Sequence, residues 1–181
     1  MSKGRIVIKS ITDIISKVSY VMLFLACLII LVLAKSKLSN SPVYNSPEFK
    51  TYFDMFQSDA KRFKTPLRLY KLTTIFSSTV PFGVLGYCLP STNTVVISIQ
   101  AWNRMDFMRR KVLMYHEWGH CTLKRDHVEQ MKPIPYPYCS NSMMYPYIDT
   151  ITNCYQELEE EYLEELFTNP YNYPTISRRD S

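Results

Sequence analysis

Hydrophobic and polar positions divide this chain into an unbroken apolar run near its start and a longer region of alternating character. From Val18 to Ala34 seventeen residues pass without a charge, VSYVMLFLACLIILVLA. Further on, Phe49, Tyr52, Phe53, Phe56, Ala60 and Phe63 recur at intervals of three and four, the period of a helix buried along one face. Ser46-Pro47-Glu48 ahead of them offers a capping hydroxyl and a proline in the first turn. Thr65-Pro66 ends that helix, and Leu67 to Phe76, rich in Leu, Thr, Tyr and Ile, reads as a strand. Pro81 to Cys88 carries two of the four glycines, and Thr94 to Ile99 sets Val95, Ile97 and Ile99 on one side of a second strand. A second strong helix is predicted over Asp106 to Leu123, where Met108, Val112, His116 and His120 align at steps of four and Arg109, Arg110 and Lys111 mark the solvated side. A loop rich in proline and tyrosine follows to Tyr147. The last helix, capped by Asn153 with Gln156, sets Tyr155, Leu158, Tyr162 and Leu166 against Glu159, Glu160, Glu161, Glu164 and Glu165, read as a solvated face. Helix, small sheet, helix, loop and helix in that order predict one α+β domain.

The apolar run changes the picture around that domain. Seventeen residues lie at the short limit for crossing a bilayer and exceed most signal-peptide cores, so a retained transmembrane anchor is preferred to a cleaved leader. The expected layout is a basic arm at 1–17, an anchor at 18–34, a polar linker at 35–45, the domain at 46–168 and a tail at 169–181. Lys3, Arg5, Lys9 and Lys17 precede the run, which argues for a cytoplasmic N-terminus and an extracytoplasmic domain, periplasmic in a bacterium. A cleaved leader would make the protein secreted.

Composition adds boundaries. Hydrophobic residues make up 46% and charged residues 20%, as in an ordinary globular protein. The net charge of +5 comes partly from the basic arm and gives no reason to expect nucleic-acid binding. Cys27 lies inside the apolar run. Cys88, Cys121, Cys139 and Cys154 allow three pairings, among which the sequence does not choose. Cys121, next to His120 and about 100° around the helix from it, reads as a packing residue and not a ligand.

All three histidines fall within twelve residues, His116-Glu117-Trp118-Gly119-His120-Cys121-Thr122-Leu123-Lys124-Arg125-Asp126-His127. His116 and His120 are four apart, so a helix projects both imidazoles from one face, where they can close on a single Zn²⁺. Glu117 stands beside the first ligand as a general base. Zinc lowers the pKa of water toward neutrality, and the carboxylate can take the proton as water attacks a peptide carbonyl. A helix with two surface histidines and no metal is the alternative, but these histidines continue the buried stripe of Met108 and Val112, as ligands facing a cleft must.

HExxH, a third histidine soon after it, and Met144-Tyr145-Pro146 further on resemble the metzincin zinc peptidases, among them the matrixins, in which HExxHxxGxxH supplies three ligands and a methionine turn lies beneath the zinc. Trp118-Gly119 matches the aromatic-glycine pair common between the first two histidines. Trp102 and the stretches His116 to Cys121 and Ser142 to Pro146 also look like small metzincin-like peptidases of bacteria and phages. The likeness spans roughly Ser46 to Phe167, but only its motifs are specific. The chain departs from the signature after His120. Where the family has its third histidine, six residues on, stands Asp126, and Leu123 replaces the glycine; His127 comes one place late. The resemblance implies His127 as third ligand, with Asp126 as the alternative, and a longer turn that needs no residue of positive φ. It further implies Met144 as an apolar floor, with Tyr145 and Tyr147 as candidates to support an oxyanion. A thermolysin-like site completed by a glutamate among Glu157 to Glu165 ranks lower, because it leaves His127 and Met144 unused.

The expected protein is therefore a membrane-anchored zinc metalloendopeptidase acting on a peptide or protein substrate, with the substrate paired to the sheet's edge strand. A non-catalytic zinc-binding interaction protein of the membrane or envelope is the alternative.

Overall fold

The computed structural model describes residues 18–30, 42–133 and 135–168. Contacts divide the chain between Asn40 and Ser41. On the N-terminal side, residues 18–30 are helical and exposed. Among the described residues no helix is long and apolar enough to cross a membrane. That finding overturns the anchor expected at 18–34 and, with it, the extracytoplasmic placement. The basic arm 1–17, residues 31–34 of the expected anchor, most of the linker and the tail 169–181 lie outside the described residues.

From Ser41 onward the chain is a small α+β domain. Its elements in order are β1 (Val43–Tyr44), α1 (Glu48–Arg62), β2 (Thr73–Ser77), β3 (Gly86–Leu89), β4 (Thr94–Ser98), α2 (Ile99–Trp102), α3 (Phe107–Trp118), a π-helical turn (Gly119–Leu123), α4 (Ile148–Thr152) and α5 (Tyr155–Thr168). The sheet has the order β1-β2-β4-β3. β1, β2 and β4 run parallel and β3 is antiparallel to β4, with Gly86 opposite Ile97 and Leu89 opposite Thr94. Val43–Tyr44, read from the sequence as linker, pair with Thr73–Thr74 and so belong to the sheet. Leu67 to Leu72 are not strand; Pro66 and the left-handed Lys71 delay the extended segment to Thr73.

Aromatic packing joins α1, α3 and the sheet. Phe49 packs against Phe76 in a tilted pair at 4.3 Å, Phe53 meets the edge of Trp118 at 5.1 Å, and Phe56 contacts Tyr115 and Phe167, each at 5.1 Å. The polar ends of these rings are satisfied: Trp118 Nε1 donates to Thr74 Oγ1, Trp102 Nε1 to Glu48, and the Tyr115 hydroxyl to Asp59. Helix α3 is consequently buried on every side from Lys111 to Trp118. Lys111 is thus not on a solvated face; its ammonium pairs with Glu159 at 2.7 Å and lies over the rings of Tyr115 and Tyr155. Ahead of α5 stands the short helix α4, which Asn153 terminates, so Asn153 does not start the last helix.

Two disulfides close the domain. Cys88–Cys121 ties β3 to the π-helical turn, and Cys139–Cys154 ties the long loop to the start of α5. With sequence separations of 33 and 15, chain entropy assigns them about 3 to 4 kcal/mol each. Reduction is expected to raise the titratable thiols from one, Cys27, to five and to lower the thermal midpoint by on the order of 10 °C or more. A midpoint unchanged once all five thiols react would contradict this.

Candidate metal centre

The site is built where α3 ends. Asp106 caps the helix start, its carboxylate accepting from Arg109 N–H at 2.8 Å, and the twelve residues that follow bring His116 and Glu117 to the last turn. At Gly119 the winding widens from α to π, which takes up an additional residue per turn. Lys124 then adopts the left-handed conformation, φ 58° and ψ 39°, and both Lys124 N–H and Arg125 N–H return to the Gly119 carbonyl. The chain reverses and brings His127 back over His120. The longer interval to the third histidine is thus absorbed by π winding. A residue of positive φ is needed after all, and Lys124 supplies it one place beyond Leu123.

Three Nε2 atoms converge. His116 and His120 are 3.1 Å apart, His116 and His127 3.1 Å, and His120 and His127 3.2 Å. Two of the rings have their protons assigned by their other nitrogen. His116 Nδ1 lies 2.9 Å from the Met143 carbonyl and His120 Nδ1 lies 2.6 Å from the Arg125 carbonyl; a carbonyl only accepts, so both Nδ1 atoms donate. Their Nε2 atoms are therefore lone pairs facing each other, an arrangement that repels unless a cation sits among them. A triangle with these edges has every corner about 1.8 Å from one point, inside the Zn–N bond of about 2.0 to 2.1 Å, so one ion can reach all three. His116, His120 and His127 can hold a metal ion, and among the described residues they are the group that can.

Burial sets the protonation of the first two. Desolvation pushes the His116 imidazole down to about 3, helped by the neighbouring His120 and His127 and opposed by the bond to Met143. Desolvation likewise brings His120 down to about 4, against the pull of its bond to the Arg125 carbonyl. Both rings are neutral at physiological pH, as ligands must be. Burial acts oppositely on Glu117, raising its carboxyl to about 8. One oxygen of that buried carboxyl, Oε2, has no hydrogen-bond partner.

Glu117 and the three histidines line one cleft of about 430 Å³, walled by Gly86, Tyr87, Cys88 and Pro90 on one side and by Lys124, Arg125 and Asp126 on the other. Gly86 lets β3 come this close: a Cβ there would stand 2.7 Å from Ile97 Cδ1 and 3.1 Å from the Val96 carbonyl oxygen, so the buried Ile97 side chain would have to shift. A larger cleft of about 600 Å³ between α1, α3 and α5 contains Glu157, Glu159 and Glu160, but Lys111 and Arg62 pair with the last two, and His116 and His120 do not line it. The glutamates suggested for a thermolysin-like site thus face elsewhere or, as Glu165, are engaged.

Met144 is fully buried against Gly119. A Cβ on Gly119 would meet Met144 Sδ at 2.7 Å and Leu166 Cδ1 at 3.1 Å, and neither buried side chain can swing into solvent. Gly119→Ala is therefore expected to lose about 1 to 3 kcal/mol through overpacking, more than the roughly 1 kcal/mol that alanine gains in helix propensity, and to loosen metal binding. Denaturant unfolding alongside a zinc titration checks it; stability and affinity both at the parent level would refute the argument. Tyr145 and Tyr147 contact each other at 5.8 Å between ring centres and are absent from the cleft lining, where Tyr87 stands instead. Asp126 lines the cleft but is not part of the group that can hold a metal.

Arg125 and Glu165 adjoin the site without standing out as such in the sequence. Both are buried, Arg125 donates to Glu165, and Glu165 also accepts from Ser142 Oγ at 2.8 Å and Met143 N–H at 3.2 Å. Glu165 is therefore not on the solvated face assigned to it. A signal existed: it lies seven residues after Leu158 and three after Tyr162, in phase with the apolar stripe. Arg125, beyond the helix, had no such signal.

Known protein families, curated proteins and solved structures contain no match to this chain.

Proposed function

We propose that this protein is a zinc-dependent metalloendopeptidase of metzincin type, with His116, His120 and His127 as ligands and Glu117 as general base. The observation that carries the reading is the convergence of three imidazole Nε2 atoms in the same cleft as a buried glutamate with an unpartnered oxygen. A zinc ion held by the imidazoles supplies a lowered pKa for water and polarises a carbonyl oxygen. Glu117 takes the proton as water adds to the scissile carbonyl carbon and returns it to the departing amine nitrogen. A nearby dication also favours the ionised form of this carboxyl, countering the burial that otherwise keeps it protonated.

The cleft wall suits a peptide. β3 is one of the two edge strands of the sheet and contributes Gly86, Tyr87 and Cys88 to the cleft. An extended substrate can add to such an edge through backbone hydrogen bonds, whatever its side chains. The Cys88–Cys121 disulfide fixes that strand against the turn that follows His120, and so sets the width of the cleft. The test is peptide hydrolysis by the zinc-loaded full chain beside its Glu117→Gln variant. A parent that holds zinc and cleaves nothing would instead be a non-catalytic zinc-binding protein.

A further inference from the structure

We infer that Glu165 and Arg125 are positioning residues for the metal centre, one buried carboxylate on α5 orienting two of the three imidazoles at once. The inference rests on the reading of the histidine trio as a metal site, but not on peptidase activity.

Each of the two imidazoles is aimed by a backbone carbonyl, and each carbonyl belongs to a segment without regular structure. His120 Nδ1 donates to the carbonyl of Arg125, and His116 Nδ1 to that of Met143. Something must hold those two segments, because a carbonyl free to shift would leave the ring free to rotate. Glu165 holds both. Its Oε1 accepts from Arg125 Nη2, while Arg125 Nη1 donates to the carbonyls of Glu165 and Leu166 at 2.7 and 2.8 Å, so the guanidinium is anchored on the end of α5. Its Oε2 accepts from the N–H of Met143, the residue whose carbonyl orients His116. The same oxygen accepts from Ser142 Oγ, which in turn accepts from Met144 N–H at 2.9 Å. A separate bond, Val128 N–H to the Met144 carbonyl at 3.0 Å, joins the segment after His127 to the same turn.

The chemistry of the pair argues for orientation over mere cohesion. Glu165 is 3% exposed and occupies the apolar phase of α5, where a leucine would pack without the desolvation of two charges. What a leucine cannot do is accept hydrogen bonds from Arg125, Ser142 and the Met143 N–H together. A carboxylate, with lone pairs on two oxygens, is suited to gather donors from two directions.

The test measures metal binding by the full chain. Zinc affinity is read by chelator competition and ligand geometry by the visible absorption of the Co²⁺-substituted protein. Two replacements are compared with the parent: Glu165→Gln, and the apolar pair Arg125→Met with Glu165→Leu, which removes the charges together and favours a folded product. We expect zinc affinity to fall about 10- to 100-fold in each folded variant and the Co²⁺ bands to shift. Ser142→Ala, which removes one hydroxyl from the same carboxylate, reads the same quantities should the charge changes unfold the chain, and a smaller loss is expected there. A folded variant with parental zinc affinity and an unshifted Co²⁺ spectrum overturns the inference, even if its thermal midpoint has dropped, since purely structural residues would give that result. A parent that binds zinc without cleaving peptides would refute the peptidase reading and leave this one standing. A parent that takes up no zinc would remove both.

Discussion

Glu117→Gln is expected to abolish peptide hydrolysis, by at least about 10²- to 10⁴-fold in kcat, while zinc content stays at about one per chain. Glutamine keeps the shape of the side chain but cannot accept a proton from water. The three ligand nitrogens lie on other residues, and Glu117 makes no hydrogen bond to any of them among those described, so the metal has no reason to leave. Folding should not suffer either. The native carboxyl is buried, has an oxygen without a partner, and is pushed up to about 8 by desolvation alone, so the native protein bears the cost of enclosing it. Removing the charge is expected to leave stability unchanged or raised, the opposite of the usual result for a buried residue. Hydrolysis of a casein or an unstructured peptide library, metal analysis and a thermal melt on the same preparation check all three parts. Undiminished cleavage by a zinc-loaded Glu117→Gln protein would end the general-base assignment, whatever the metal content.

His127→Ala is expected to weaken zinc binding by more than about 100-fold, a larger loss than a supporting residue causes, while Asp126→Ala changes it little. The distances decide between these neighbours: His127 Nε2 is 3.1 Å from His116 Nε2 and 3.2 Å from His120 Nε2, and Asp126 is outside the group. Asp126 nevertheless acts on the site at longer range, as its charge favours the protonated form of His120. Isothermal titration of both variants with zinc separates the two roles. Release of the metal by Asp126→Ala alone would reverse the ligand assignment.

How far the sequence could be read depended on the range of the interactions involved. Helix α1 was legible because Phe49, Tyr52, Phe53, Phe56 and Ala60 repeat with the helical period and are the residues it buries. Helix α3 was legible in extent, but the burial of Lys111 was not. A lysine looks solvated until Glu159 and Tyr155 from a distant segment close over it beside Tyr115 of its own helix. The apolar run at 18–34 pointed to a membrane by hydropathy alone, and the described helix does not bear that out. Met144 stood out in the sequence through a motif, whereas the carbonyl of the preceding residue, which accepts from His116, could not. No side chain advertises what its backbone oxygen accepts.

The sequence by itself determined that His116, Glu117 and His120 stand close together on one face of a helical stretch, because helical phase depends only on the spacing of residues along the chain. Only the tertiary structure decided that His127 completes the group, that Cys88 pairs with Cys121, and that Glu165 is buried. Those outcomes turn on the π-helical winding at Gly119–Leu123, the left-handed Lys124 and hydrogen bonds reaching from the turn to α5. The one-residue displacement of His127 can be read from the sequence, but whether the chain accommodates it cannot. It is absorbed by how the chain turns, and the direction of that turn is set by partners some forty residues away in sequence.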